Sequence, residues 1–311
     1  MEIIIIGHKN PDTDSVVSAL AYARFKNQLD KGNHYKAAAS GLLNNESKFV
    51  LDYFKVANPL IIQNLEEWKG KIILLDHTEI SQSPEGLNTD EIIEILDHHR
   101  LGGLQTANQI FARIEPLGAT STIVAKIFKE KGIMPDQQTA QLLIAGIISD
   151  TLFLQGPTTT DEDRLVLEEL NKIAQIDNLE DFANKMFEAK SDLSGVPIEQ
   201  ILMKDYKEFV FGSRRVGIGA CETIRPESVV QLKKELLEEL KKLKEKNSLD
   251  LVYFMITDIL NKKSQMIILG DEEQKVAEAV FGGKTQENIL DIGNIISRKK
   301  EVVPPLEKFL K

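Results

Sequence analysis

Three residues able to bind a metal leave the first apolar run within seven positions: His8, Asp12 and Asp14, in the stretch "GHKNPDTDS" at 7–15. Each has a plainer account. Asn, Pro and Asp are common in turns, and Asp14 or Ser15 would cap a following helix. The rest of the chain favours chemistry. Asp76 and His77 follow "IILL", Asp97, His98 and His99 follow "IIEIL", and Asp150 ends the apolar segment 136–150; of the five histidines only His34 lies away from such an end. Aspartate and imidazole together suit divalent first-row transition metals better than magnesium alone. Four carboxylates packed without cations repel one another. Two divalent ions about 3.5–4 Å apart, bridged by shared carboxylates, would relieve that repulsion and acidify a water for in-line attack on phosphorus.

The elements that must position these groups follow from periodicity. The runs 2–6, 71–77 and 92–99 predict buried strands, and 14–29, 46–54, 119–131 and 136–150 predict helices. Strand–helix alternation predicts an α/β fold: an N-terminal doubly wound, mainly parallel sheet, with functional loops gathered at the carboxyl ends of its strands. The stretch "AKSDLSGVP" reads as a linker at 189–197, separating a first domain, 1–188, from a smaller C-terminal α/β domain, 198–311. The second domain is expected to hold strands near 208–220, 249–257 and 264–270. Its charged helix at 230–246 places Leu232, Leu236, Leu240 and Leu243 on one face.

Length and charge set limits. A chain of 311 residues is long enough for two domains. A net charge of −10 disfavours nucleic acid without a local basic groove, and obliges an anionic substrate to find dedicated positive charge. No stretch approaches the roughly 20 apolar residues needed to cross a bilayer, and the first apolar run has neither a basic leader nor a cleavage site. The single cysteine, Cys221, cannot form an internal disulfide, is expected as a small core residue, and suits a reducing cytoplasm.

Taken in order, "GHKNPDTDS", "LLDH", "DHH" and "ISD" resemble the motifs of the DHH phosphoesterase superfamily, and "SRKKEVVPPL" at 297–306 narrows the resemblance to the manganese-dependent family II inorganic pyrophosphatases. It runs the length of the chain. It implies one metal held by His8 and Asp12 and a second by Asp14 and His98, with Asp76 and Asp150 shared. It implies that His99 faces substrate, that Lys207 binds phosphate, and that Arg298 and Lys299 clamp it, these four serving catalysis from the substrate side. His77 is given a role behind the ligands, its alternative being a hydrogen-bonded strand-end histidine. The implied reaction is hydrolysis of pyrophosphate to two phosphates at a two-metal site between a DHH domain and a DHHA2-like domain. The implied cofactors are two Mn2+ per subunit, with Co2+ as an alternative, and Mg2+ carried by the substrate. A cytoplasmic homodimer formed through the N-terminal domain is also implied. Residues 100–119 leave no room for a regulatory nucleotide-binding insert, so no adenine-nucleotide control of that kind is expected.

Two other readings stay open at this level. One is a different superfamily phosphoesterase: an exopolyphosphatase shares the basic tail, whereas a nuclease would carry a glycine-rich motif with a histidine that "FGGKTQ" at 281–286 lacks. The other is a metal-binding regulatory module without turnover, disfavoured by the intact ligand set and both tail cations.

Overall fold

The computed structural model describes residues 1–193, 195–203 and 205–311. They fall into two compact units, Met1–Lys190 and Ser191–Lys311.

The first unit is built on β1 (Glu2–Lys9), β2 (His34–Ser40), β3 (Leu60–Ile61), β4 (Lys71–Leu75), β5 (Ile92–Asp97) and β6 (Phe111–Ile114). All five pairings are parallel, in the order β3-β2-β1-β4-β5-β6. A parallel strand needs a crossover to reach its neighbour and is covered on both faces. Hence Ile3–Ile6 and Ile72–Leu75 are continuous apolar runs, all buried. The helices are α1 (Thr13–Leu29), α2 (Asn45–Tyr53), α3 (Thr120–Glu130), α4 (Gln137–Thr151), α5 (Asp161–Ala174) and α6 (Leu179–Ser191). Helix α1 packs on α3 and α4, and α4 on α5. The α4 sequence is apolar on nearly every side because it lies among these neighbours, with Leu142, Leu143, Ile144, Ile147 and Ile148 fully buried.

The strand order reverses beside β1, since β2 lies on one side of it and β4 on the other. Such a switch opens a crevice at the strands' carboxyl ends. β4 and β5 stop two residues short of the ends expected from sequence. Asp76 has a left-handed backbone, φ 64°, which turns the chain out of the sheet directly after Leu75.

The second unit contains α7 (Ile198–Met203), β7 (Tyr206–Phe211), β8 (Arg214–Thr223), α8 (Pro226–Val230), α9 (Lys233–Lys246), β9 (Leu251–Asp258), β10 (Lys263–Ile268), α10 (Asp271–Phe281), β11 (Ile289–Gly293) and α11 (Val303–Leu310). Its sheet is mixed, in the order β11-β10-β9-β8-β7. Only β8 and β9 run parallel, joined through α8 and α9. The region expected as a strand near 208–220 is the β7–β8 hairpin. The helix expected at 230–246 begins later, at Lys233, with Leu232 in the capping position; Leu236, Leu240 and Leu243 are buried on its apolar face. The stretch expected as a linker at 189–197 is helical at its start, because α6 continues to Ser191; Ser194 within it lies outside the described residues. Cys221 is half-buried against the cluster around Leu236 and Phe254, a less interior place than expected.

The C-terminal basic run is folded. Ser297 caps a π-helical turn over Arg298–Val302 that leads into α11, while Val302 and Leu306 are fully buried against Val216, Tyr253 and Leu290. Leu306→Ala should therefore cost about 2–5 kcal/mol of stability, as for other buried leucines. Urea unfolding followed by circular dichroism measures this, and a loss near zero would mean that the tail is not part of the core.

Candidate metal centre and phosphate-binding residues

Six of the side chains singled out from sequence come together in the switch-point crevice. His8 comes from the end of β1, and Asp12 and Asp14 from the start of α1. Asp76 follows β4, His98 follows β5, and Asp150 is in the last turn of α4. Ligand atoms of His8, Asp12 and Asp76 lie within 4.8 Å of one another, as do those of Asp14, Asp76, His98 and Asp150. Asp76, fully buried, belongs to both groups, and to a third with His98 and His99: its Oδ2 is 3.4 Å from His8 Nε2 and its Oδ1 is 3.3 Å from His98 Nε2. His98 Nε2 is also 3.4 Å from Asp150 Oδ2, and His8 Nε2 3.5 Å from Asp12 Oδ2.

Backbone carbonyls fix both imidazoles. His8 Nδ1 is 2.8 Å from the Lys9 carbonyl and His98 Nδ1 is 3.0 Å from the Leu117 carbonyl. A carbonyl can only accept, so each Nδ1 carries the proton and each Nε2 is turned to the carboxylates as a potential ligand. The aspartates are held as firmly. Asp12 is itself the α1 cap, accepting from Ser15 N–H through Oδ1 at 3.0 Å, so capping and ligation use different oxygens of one carboxylate. Asp14 accepts from the backbone N–H groups of Thr120 and Ser121, at 2.6 and 3.0 Å, in the first turn of α3. Thr120 Oγ1 donates to Asp76 Oδ1 at 3.0 Å.

The electrostatics are those of too many acids in one place. Asp14 is pushed up to about 7 by burial and by repulsion from Asp76. Asp150 is pushed well above the carboxylate range by burial, Asp12 and Asp14. Burial would also raise Asp76, but the imidazoles of His8 and His98, 3.4 and 3.3 Å away, outweigh it and hold this carboxyl low. Burial opposes charge on His98 and His8. Asp150 and Asp76 nonetheless push His98 up to about 12, and Asp12 and Asp76 push His8 up to about 11. The cluster thus draws in positive charge from whatever source is at hand. Asp76 Oδ2 and His98 Nε2 are buried without a hydrogen-bond partner, the condition in which a divalent cation fits. The donor set, oxygen with one imidazole in each group, suits manganese.

His77 stands behind this centre. It is buried, with Nδ1 on the Leu75 carbonyl at 2.8 Å and Nε2 on Ser83 Oγ at 3.1 Å, and burial holds its pKa low. Both ring nitrogens are engaged, and its ring meets that of His8 edge-on, with centroids 6.5 Å apart. His99 is half-exposed. Asp97 Oδ1 accepts from its N–H and meets its Nδ1, at 3.0 and 2.9 Å, which raises its pKa. Asp97, the first residue of "DHH", is a further residue of the site, and its place in that motif is the signal for it. Its side chain is fully buried and orients His99.

Lys207, Arg298 and Lys299 lie in the second unit. Lys207 and Lys299 are exposed, the former on β7 opposite Ile218. Arg298 is largely buried. Its Nη1 donates to the carbonyls of Asp205 and Ile218, and its Nη2 to Asp205 Oδ1 at 2.6 Å. Among the described residues these bonds use three of the five guanidinium N–H donors.

A parallel doubly wound domain with a His/Asp metal centre, followed by a smaller mixed-sheet domain, defines a two-domain metal-binding class. Residues 2–147 match the profile of the DHH family, N-terminal domain, and residues 184–309 that of the DHHA2 domain. The chain is 39% identical over 310 residues to a manganese-dependent inorganic pyrophosphatase of Methanothrix thermoacetophila, covering 99% of this chain and 98% of that one. It is 37% identical to the Bacillus subtilis manganese-dependent inorganic pyrophosphatase, over 98% and 97% of the two chains. A crystal structure from Methanococcus jannaschii, assigned to the family II inorganic pyrophosphatases, matches with 35% identity and a TM-score of 0.66 over 99% of both chains. The chain belongs to the manganese-dependent inorganic pyrophosphatase family.

Two expectations follow from the centre. Gly146, in α4, leaves no room for a side chain: a Cβ there would stand 2.1 Å from Ser121 Oγ and 2.5 Å from Asp14 Oδ1. An ordinary helix gains about 1 kcal/mol when Gly becomes Ala. Here Gly146→Ala should instead displace Asp14, lowering manganese affinity and the melting temperature together; a more stable variant with unchanged affinity would refute the crowding. The second concerns pH. Protons on His8, His98 and Asp14 compete with the metal, so manganese affinity should fall as pH drops from 8 to 6, by about tenfold per unit for each proton displaced. Isothermal titration in buffers of different ionisation enthalpy counts those protons, and a pH-independent affinity would refute the competition.

Proposed function

We propose that this protein hydrolyses inorganic pyrophosphate to two phosphates, using two manganese ions held by the switch-point cluster. The observation that carries the reading is the pair of ligand groups joined through Asp76. His8 and Asp12 would hold one ion, Asp14 and His98 the other, with Asp76 and Asp150 serving both. When bound, such ions supply Lewis acidity and lower the pKa of water.

The chain's own residues do the rest. The Nδ1–carbonyl bonds of His8 and His98 keep their Nε2 lone pairs directed at the metals. The N–H groups at the start of α3 hold Asp14 in place against repulsion from its neighbours. Thr120 fixes the rotamer of Asp76. His99, oriented by Asp97, would donate to the phosphate that leaves. Lys207, Lys299 and the remaining donors of Arg298 would neutralise the charge developing on that phosphate. Four aspartates already balance two divalent ions, so the positive charge for pyrophosphate must come from these residues and from magnesium carried by the substrate. Cobalt would replace manganese at the same ligands. We also propose a cytoplasmic homodimer formed through the N-terminal domain. The lone cysteine supports the compartment, and among the described residues no helix is long and apolar enough to cross a membrane.

Phosphate release by metal-stripped protein should rise steeply as manganese is added at fixed magnesium; no response would overturn the reading. Pyrophosphate should be cleaved faster than tripolyphosphate, the reverse favouring an exopolyphosphatase. Arg298→Lys should keep both metals but lose about 2–4 kcal/mol of transition-state stabilisation, as when one oxyanion donor is removed. A lysine cannot reproduce the planar fork that meets Asp205, two carbonyls and a phosphate together. Steady-state kinetics on the metal-replete variant should show the loss in kcat as well as KM, and an unchanged kcat/KM would remove Arg298 from the clamp.

A further inference from the structure

Behind the metal-binding side chains lies another carboxylate that the chemistry above does not use. Glu46, in the first turn of α2, is fully buried. Its Oε2 accepts from Thr13 Oγ1 at 2.7 Å and from Ser149 Oγ at 2.8 Å, and lies 3.3 Å from Lys190 Nζ. Lys190, near the end of α6, also donates to Ser149 Oγ at 3.2 Å. Thr13 stands between Asp12 and Asp14, and Ser149 directly precedes Asp150. One oxygen thus ties together the two chain segments that carry three of the four clustered aspartates.

A buried acid is a poor choice here for stability alone. It adds a negative charge to a region already crowded with them, and buried ion pairs replaced by apolar groups often leave a protein no less stable. A carboxylate facing donors offers something an apolar residue does not. It only accepts, so donors converging on one of its oxygens are fixed in direction, including two hydroxyls that otherwise rotate freely. We propose that Glu46 is a positioning residue of the metal centre, fastening the Asp12–Asp14 segment to the Ser149–Asp150 end of α4, with Lys190 as its counter-charge. This rests on the reading of the cluster as a manganese site. Groups behind metal ligands act in this way by holding the ligands where the ion needs them.

The test is manganese affinity of the metal-stripped full-length chain, read by the electron paramagnetic resonance of free Mn2+, beside thermal unfolding of the metal-free protein. Thr13→Val and Ser149→Ala remove one hydroxyl each and change no charge, so an effect cannot be ascribed to altered electrostatics. The expected result is a dissociation constant raised about tenfold or more in the double variant, and about 10- to 100-fold in Glu46→Gln, the range for groups behind metal ligands. A purely structural role would lower the metal-free melting temperature and leave the affinity of the folded protein unchanged. Should Glu46→Gln fail to fold, the two hydroxyl variants decide. Wild-type affinity in the folded double variant overturns the positioning role. Wild-type protein that binds no manganese overturns the metal-centre reading instead, so the two failures are distinguishable.

Discussion

Repulsion among four aspartates sharing one crevice is the constraint around which the first unit is built. Asp12, Asp14, Asp76 and Asp150 come from three separate places in the chain, and the first three are restrained by different devices. Asp12 is held by the helix it caps, Asp14 by the amides of another helix, Asp76 by a threonine hydroxyl and a left-handed turn. None of these devices removes the repulsion. They keep the carboxylates from relieving it by moving apart, so relief has to come from cations. A site that cannot relax is selective for what completes it.

The same logic accounts for the histidines. His8 and His98 each spend Nδ1 on a carbonyl, which costs nothing in charge and settles the tautomer. Rigidity in the centre therefore derives from neutral backbone groups, and charge is left to the side chains that meet the metal. His77 shows the contrast. With its two nitrogens engaged by the Leu75 carbonyl and Ser83 Oγ, this strand-end histidine is part of the frame.

Much of this was legible in the sequence because chemistry and periodicity coincide at strand ends. The isoleucine-rich runs marked β1, β4 and β5, and the acids and histidines directly after them marked the crevice. What escaped did so for physical reasons. β2, "HYKAAAS", has little intrinsic strand preference and is a strand because β1 offers it a parallel ladder. Glu46 opens the segment 46–54 expected as a helix and carries no local mark of burial; only the fold brings it to Thr13 and Ser149. Arg298 is expected as half of a basic pair that clamps substrate, yet its guanidinium is tied to Asp205 and two carbonyls, contacts that no local pattern announces.

The order of the strands also bears on how the protein is made. β1 is synthesised first but lies in the interior of its sheet, and it must wait for β2 on one side and β4 on the other. Asp12 and Asp14 emerge early, whereas Asp150 belongs to a helix near the far end of the same unit. Parallel pairing across such separations is slow, since the loops between must close before any contact rewards them. Asp150 joins Asp14, Asp76 and His98 only when α4 docks, so that group of donors is assembled late in the making of the chain.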